Sequence, residues 1–387
     1  MIRKFGLYTL LTVAGFALAA CSSKQETAPA PAADAGSAAA PAAATDAEKV
    51  LNVYNWSDYI APDLVPNFEK EYGIKVNYDV FDSNEVLQTK LLAGKTGYDI
   101  VVPSASFMAL QIKAGVFQKL DKSLLPNLKN TDPDLSRQMD LFDPGMEHGV
   151  NYFWGTSGVG YNAEMIKAAM PDAPVDSFRM FYDPEVVKHF KSCGVTILDA
   201  PDEVVNTVLV YLGRTANSEK TEDLAAAEKV LMAIRPYVRY INSSKYIEDL
   251  ANGEICLAMG WSGDVLQSAA RAKEANKGNT IKYNIPKEGA VMFFDMLAVP
   301  VDATHPKNAH LFINYLLRPE VSAKNSSVVH YASSNAAAYP LIDPVIYNDR
   351  GIFPSPETKQ HLVPDLPRSQ AYTRLLTRMW TRFKSGR

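Results

Sequence analysis

"LNVYNWSDYIAPDLVPNFEKEYGIKVNYDVFDSNEVLQTKLLAGKTGYDIVVPS", residues 51–104, carries the signals that decide the fold. Its first five residues read as a strand. Pro62 suits the first turn of a helix with Leu64, Val65 and Phe68 on its apolar face, and Gly73 suits its stop. "IKVNYDVF" alternates as a second strand. Asp82 and Ser83 can cap a second helix that carries Val86, Leu87 and Leu91 and closes near Gly94. The run "YDIVVPS" is then a buried strand ending at Pro103. The order β-α-β-α-β predicts a parallel sheet with right-handed crossovers.

Open parallel sheets bind ligands beyond the carboxyl ends of their strands. Trp56, Ser57, Asp58 and Tyr59 follow the first strand and Ser104 follows the third, so both stretches reach one rim. The second half repeats the pattern. "GVTILDAPDEVVNTVLVYLG" runs from strand to helix with Asp202 and Glu203 in the first helical turn, where the helix dipole favours acids. "EICLAMGWSGDVLQSA" places Trp261 and Asp264 just beyond a strand, and "GAVMFFDMLAVP" carries Phe293 and Asp295. An acid inside such an apolar run is costly to bury unless a positive group meets it. "SVVHYASSNAA" adds Tyr331 after a short apolar segment.

Aromatic and carboxylate thus recur together: Trp56 with Asp58, Trp261 with Asp264, Phe293 with Asp295, and Glu203 in addition. Aromatic faces attract cations and sandwich methylene chains, while carboxylates accept charge-assisted hydrogen bonds from ammonium groups. Each set alone has an ordinary structural use as core aromatic or helix cap. Converging on strand ends, they point to a cage for an organic cation.

Other chemistries lack their signatures. The histidines at 148, 189, 305, 310, 330 and 361 show no metal-ligand spacing, so neither a metal nor a cofactor is expected. "GWSGD" fails as a nucleophile elbow because Asp264 stands where the last glycine belongs. "GTSGVG", residues 155–160, lacks the lysine of a phosphate loop and reads as a tight connection between lobes. No catalytic constellation appears. No basic stripe with interleaved aromatics suggests nucleic acid.

The N-terminus speaks to the compartment. Arg3 and Lys4 precede an apolar run, Phe5 to Ala20, of signal-peptide length. Its end, Leu18-Ala19-Ala20-Cys21, resembles a bacterial lipobox, which would leave a lipid-modified Cys21 as the first residue. Residues 22–48 are Ala/Pro-rich without periodicity and read as an extended tether. Without Arg3 and Lys4 the formal charge moves from −4 to −6, a mildly acidic chain. Cys193 and Cys256 can pair in an oxidising compartment, which would contribute roughly 4 kcal/mol in the chain-entropy account. Two buried free thiols are the alternative.

"YNWSDYIAPD", "FDSNEVLQTKLLAG", "YDIVVPSASF", "GVGYN", "LDAPDEV", "YIEDLANGEICLAMGWSGDV", "IPKEGAVMFFDMLAVP" and the terminal "KSGR" resemble the substrate-binding proteins of bacterial polyamine ABC transporters, most of all the putrescine-binding type. The resemblance runs from about residue 50 to the C-terminus. It implies a two-lobed α/β periplasmic binding protein of type II, each lobe a mainly parallel sheet flanked by helices, with the ligand in the inter-lobe cleft. The expected division is a signal peptide over 1–20, a lipidated cysteine and linker over 21–48, a first lobe over 49–152 and 296–343, and a second over 153–295 and 344–387.

The family's site, carried over by matching motif, comprises Trp56, Ser57, Asp58, Tyr59, Ser104, Glu203, Trp261, Asp264, Phe293, Asp295 and Tyr331. In that picture Asp264 and Asp295 hold one ammonium, Asp58, Glu203 and rim hydroxyls serve the other, and the aromatics pack the alkyl chain. Spermidine binders of the family tend to carry tryptophan where this chain has Phe293, glutamate where it has Asp58, and an acid where it has Ala200. The three departures favour putrescine and leave spermidine open. The implied partners are putrescine or a related polyamine and ABC permease subunits, with membrane contact only through the lipid anchor and a monomeric, periplasmic state. A polyamine-sensing lipoprotein presenting its ligand to a membrane receptor would use the same site.

Overall fold

The computed structural model describes residues 45–386 except 277. The expected signal peptide, lipidated Cys21 and tether as far as residue 44 lie outside the described residues. The described residues form eleven strands: β1 Val50–Trp56, β2 Lys75–Phe81, β3 Ile100–Val101, β4 Gly149–Asn162, β5 Val195–Ile197, β6 Tyr240–Ile241, β7 Leu257–Trp261, β8 Ile281–Asn284, β9 Ala290–Ala298, β10 Ala332–Ser333 and β11 Leu362–Pro364.

The local signals of the opening stretch act as expected. Leu64 and Phe68, one turn apart, bury the inner face of the helix Leu64–Tyr72. Gly73 ends it with φ 65°, a left-handed conformation that costs glycine no Cβ clash. Ser83 caps the helix Asn84–Ala93 by accepting from the Val86 N–H. The two helices carry the chain between strands that pair in parallel, β2 with β1 and β1 with β3.

The second lobe repeats this plan, with β5 parallel to both β6 and β7. Each parallel trio is then flanked by a strand running the other way. In the first lobe β9 lies antiparallel to β3, and in the second β4 lies antiparallel to β7. β4 and β9 also pair with each other from Gly149–Ala298 to Ser157–Val291, so these two strands bridge the lobes. β11 adds a third crossing beside β9. The reciprocal exchange joins the sheets into one, ordered β2-β1-β3-β9-β4-β7-β5-β6.

Glycine lets the bridge form. Residues 155–160, read from sequence as a tight connection, are the middle of the extended β4. A Cβ at Gly158 would lie 2.6 Å from the Asn284 carbonyl oxygen, and one at Gly160 would lie 2.7 Å from Val265. Close approach of neighbouring chains, and not a turn, explains the repeated glycine.

Two hydrophobic cores result. The first gathers Leu51, Phe68, Phe294 and Phe312, the second Phe178, Val195, Tyr246 and Phe383. Large side chains so completely buried contribute roughly 1.5–3 kcal/mol each. Ile352 and Phe353 pack in the first core, although the sequence reading assigned everything after residue 343 to the second lobe. Phe293 and Phe294 belong there too. Asp46 and Glu48, expected in the tether, are tied to the first lobe by Asn308: it donates to Asp46 at 2.9 Å and to the Glu48 carbonyl at 2.9 Å.

Cys193 and Cys256 form a disulfide with Cα atoms 5.4 Å apart. It clips the approach to β5 onto the residue preceding β7. The C-terminal helix Gln370–Ser385 lays Tyr372, Leu376, Met379, Trp380 and Phe383 on the second lobe. No helix among the described residues is long and apolar enough to cross a membrane.

Candidate functional site

The carboxyl ends of both parallel trios face one cavity between the lobes. Trp56 enters it from the end of β1, Ser57 and Tyr59 from the turn that follows, and Ser104 from the residues after β3. Glu203 comes from the helix Pro201–Tyr211, Trp261 from the end of β7, and Asp264 from the helix Ser262–Ala275. Phe293 and Asp295 project from β9, and Tyr331 from the link before β10.

Hydroxyl groups hold each acid in place. Asp295 accepts from Tyr59 at 2.7 Å on one oxygen and from Ser104 at 2.7 Å on the other. Asp264 accepts from Tyr331 at 2.6 Å and from Tyr246 at 2.9 Å. Glu203 accepts from the Trp261 indole at 2.9 Å and from the Ser157 hydroxyl. The rings form a continuous wall. Tyr59 meets Tyr331 edge-on with centroids 4.8 Å apart, Trp56 meets Trp261 at 5.6 Å, and Phe293 stands 6.3 Å from both Trp261 and Tyr331. The Trp56 indole is pinned by donating to the Val102 carbonyl at 2.8 Å.

Burial dominates the electrostatics. It pushes Asp295 up to about 6, against the pull of the Ser104 and Tyr59 hydrogen bonds. Burial also pushes Asp264 up to about 7, although Tyr331 and Tyr246 donate to it. Glu203 is raised to about 8 by burial and then by the neighbouring charge of Asp365. Asp82 makes a fourth acid at the cavity, and no Lys, Arg or His lines it. Acids kept so far from a counter-charge favour a cation as their partner.

Asp58 departs from expectation. It sits at φ 56°, so the chain turns left-handed there and its side chain leaves the cavity. Its carboxylate pairs instead with Arg271 of the opposite lobe at 2.5 Å, and its carbonyl accepts from Gln267 at 3.2 Å. Arg271 also pairs with Glu248. The other candidate residues all line the cavity.

Sequence reasoning missed three contributors. Asp82 and Ser243 line the cavity, and Tyr246 orients Asp264. Asp82 was readable only as a helix cap, a sufficient explanation in itself. Ser243 and Tyr246 precede β7 in a stretch without any spacing signal. A fully buried tyrosine hydroxyl needs a partner, but its identity is a matter of tertiary structure.

A model of the bacterial extracellular solute-binding protein family matches residues 63–354. The chain is 54% identical over 356 residues to the putrescine-binding periplasmic protein SpuD of Pseudomonas aeruginosa, covering 91% of this chain and 96% of that protein. It is 52% identical over 342 residues to the putrescine-binding periplasmic protein PotF of Escherichia coli, covering 88% and 92%. A solved structure of a spermidine/putrescine ABC transporter protein from Listeria monocytogenes matches with a TM-score of 0.78 at 34% identity, covering 88% of this chain and 100% of that one. With the paired lobes, the reciprocal bridging strands and a matched stretch that spans most of the fold, the chain belongs to the bacterial extracellular solute-binding proteins.

Proposed function

We propose that this protein captures a polyamine in the periplasm, putrescine in preference to longer amines, and delivers it to an ABC permease. The observation that carries this reading is a cleft with four acids, an aromatic wall and no cationic side chain. One ammonium lies between Asp264 and Asp295, the other near Glu203, and Trp56, Trp261, Phe293 and Tyr331 pack the methylenes. A lipid on Cys21 tethers the monomer to a membrane. Two relatives named for putrescine, both more than half identical, support the choice of amine.

Capture works through closure. Trp56 and Tyr331 belong to the first lobe, and they meet Trp261 and Asp264 of the second. A diamine that touches both lobes makes its full contacts only when they are shut, so binding shifts the population toward the closed form. Asp58 and Arg271 pair across the mouth and hold the same state.

Gly263 tests closure separately from chemistry. A Cβ there would lie 2.2 Å from Tyr331 Cδ2. Gly263→Ala should favour its helix by about 0.5–1 kcal/mol while obstructing the approach of Tyr331. The expected result is a putrescine affinity lower by about tenfold or more. Unchanged affinity would mean that Tyr331 does not seat against this helix in the bound state.

Phe293 tests the reading of ligand length. Phe293→Trp should raise the spermidine-to-putrescine affinity ratio in competition titrations followed by tryptophan emission. A ratio equal to the parent's would mean that length is read elsewhere in the cleft.

A further inference from the structure

Beyond Glu203 the cleft does not end. A second cavity shares Trp56, Ser104, Glu203 and Phe293 with the first and runs on to Asp202 and Asp365. Those two acids also line an outer groove that contains Arg368. Arg368 is buried, with 6% of its surface exposed. Its Nε donates to Asp202 at 3.0 Å, and its Nη2 donates to Asn206 at 2.8 Å. Asn206 in turn donates to Asp365 at 3.1 Å, and Ser106 of the first lobe donates to the other Asp365 oxygen at 2.7 Å. Burial and their mutual charge raise Asp202, with Arg368 opposing, and burial raises Asp365.

We propose that Arg368 is a built-in cation that occupies Asp202, beside Asp365, at the far end of the cleft, and so turns the site against amines longer than a diamine. The inference rests on the polyamine reading above and adds the residue that limits length. Two carboxylates at the open end of a cation cleft are where the third ammonium of a triamine would arrive. Here Asp202 already has a positive partner, which approaches from the groove side, while Asp82, Glu85 and Asp199 also line this end of the cleft. A third ammonium would meet Arg368 as a like charge across Asp202, and the site would lose the discrimination if that guanidinium were absent. Arg368 lies in "PDLPRSQ", between β11 and the C-terminal helix, and its position depends on the third crossing of the lobes.

Calorimetric titration of the full chain with putrescine and with spermidine tests this in the parent, Arg368→Gln, and Arg368→Gln combined with Asp202→Asn. Arg368→Gln should raise the spermidine-to-putrescine affinity ratio about tenfold or more. The double variant, without the freed acid, should return toward the parent ratio. A ratio in Arg368→Gln equal to the parent's overturns the proposal, as does a gain that survives in the double variant. Should Arg368→Gln fail to melt cooperatively, Asp202→Asn decides alone. It leaves Arg368 less neutralised and should lower the ratio below the parent's, whereas no change would overturn the proposal. A parent that takes up neither amine would instead defeat the polyamine reading itself.

Discussion

Asp264→Asn is expected to weaken putrescine binding roughly 30- to 3,000-fold, the loss associated with removing one member of a buried, hydrogen-bonded charge pair. Asparagine is the informative replacement. Asp264 is 5% exposed and accepts from Tyr331 and Tyr246. Alanine would leave both hydroxyls without an acceptor and mix a folding cost into the result, while asparagine keeps the shape and one acceptor oxygen, so that one hydroxyl at most loses its acceptor when the charge is removed. The empty variant should lose little heat stability, because the parent's carboxyl group, raised to about 7, already carries a proton in much of the empty protein near neutrality. Titration of the two proteins side by side, with melting curves for each, checks both halves. A variant that binds putrescine like the parent would remove Asp264 from the ammonium site.

Proton release is the second large effect. Asp295, Asp264 and Glu203 are held up to about 6, 7 and 8, chiefly by burial. An ammonium group stabilises the ionised acids, so binding expels the protons that the empty cleft retains. The binding-competent form is the deprotonated one, and affinity should therefore climb as pH rises from 6 to 8. It should fall again as the ligand's own amines lose their protons near pH ~10. Titration at pH 6.5 in two buffers with different heats of ionisation should show net proton release, shrinking toward zero at pH 9. Affinity that is flat between pH 6 and 8 would contradict the assignment.

The same shifts act on folding. Each acid has a folded value above its unfolded one of about 4. Its contribution to stability is fully present below the unfolded value and is lost as pH rises through the folded one. The empty protein should thus lose stability from these groups progressively from pH ~4 to about 8, the last of it through Glu203. The rise in melting temperature produced by putrescine should be larger at pH 8 than at pH 6.

Most of the scaffold was legible because its signals are local. Phe68 one turn after Leu64, Ser83 before a helix and Gly73 after one each act within a few residues, and the β-α-β-α-β order follows from them. That order also places the rim, which is why Trp56, Ser104, Glu203, Trp261 and Asp264 could be singled out as strand-end residues before any contact was known. Resemblance to a family and the position of the residues agreed on the same set.

The misses arise where the deciding neighbour is remote. Nothing near Asp58 shows that the turn takes a positive φ and hands its carboxylate to Arg271, 213 residues away. Gly155, Gly158 and Gly160 looked like a turn because their real constraint comes from Phe293, Tyr283 and Val265. Arg368 lies 166 residues from Asp202, and only the crossing of β11 beside β9 brings it there. Periodicity reports on which face is buried, and it carries no information about which charge lies across a cleft.

The protein, freed of any copurified ligand by unfolding and refolding, is titrated calorimetrically with putrescine, cadaverine, spermidine and arginine. The expected result is tight one-to-one binding of putrescine, with spermidine much weaker and arginine without effect. Heat from none of the amines would contradict the cation cleft and leave a two-lobed solute-binding fold whose ligand lies outside this chemistry.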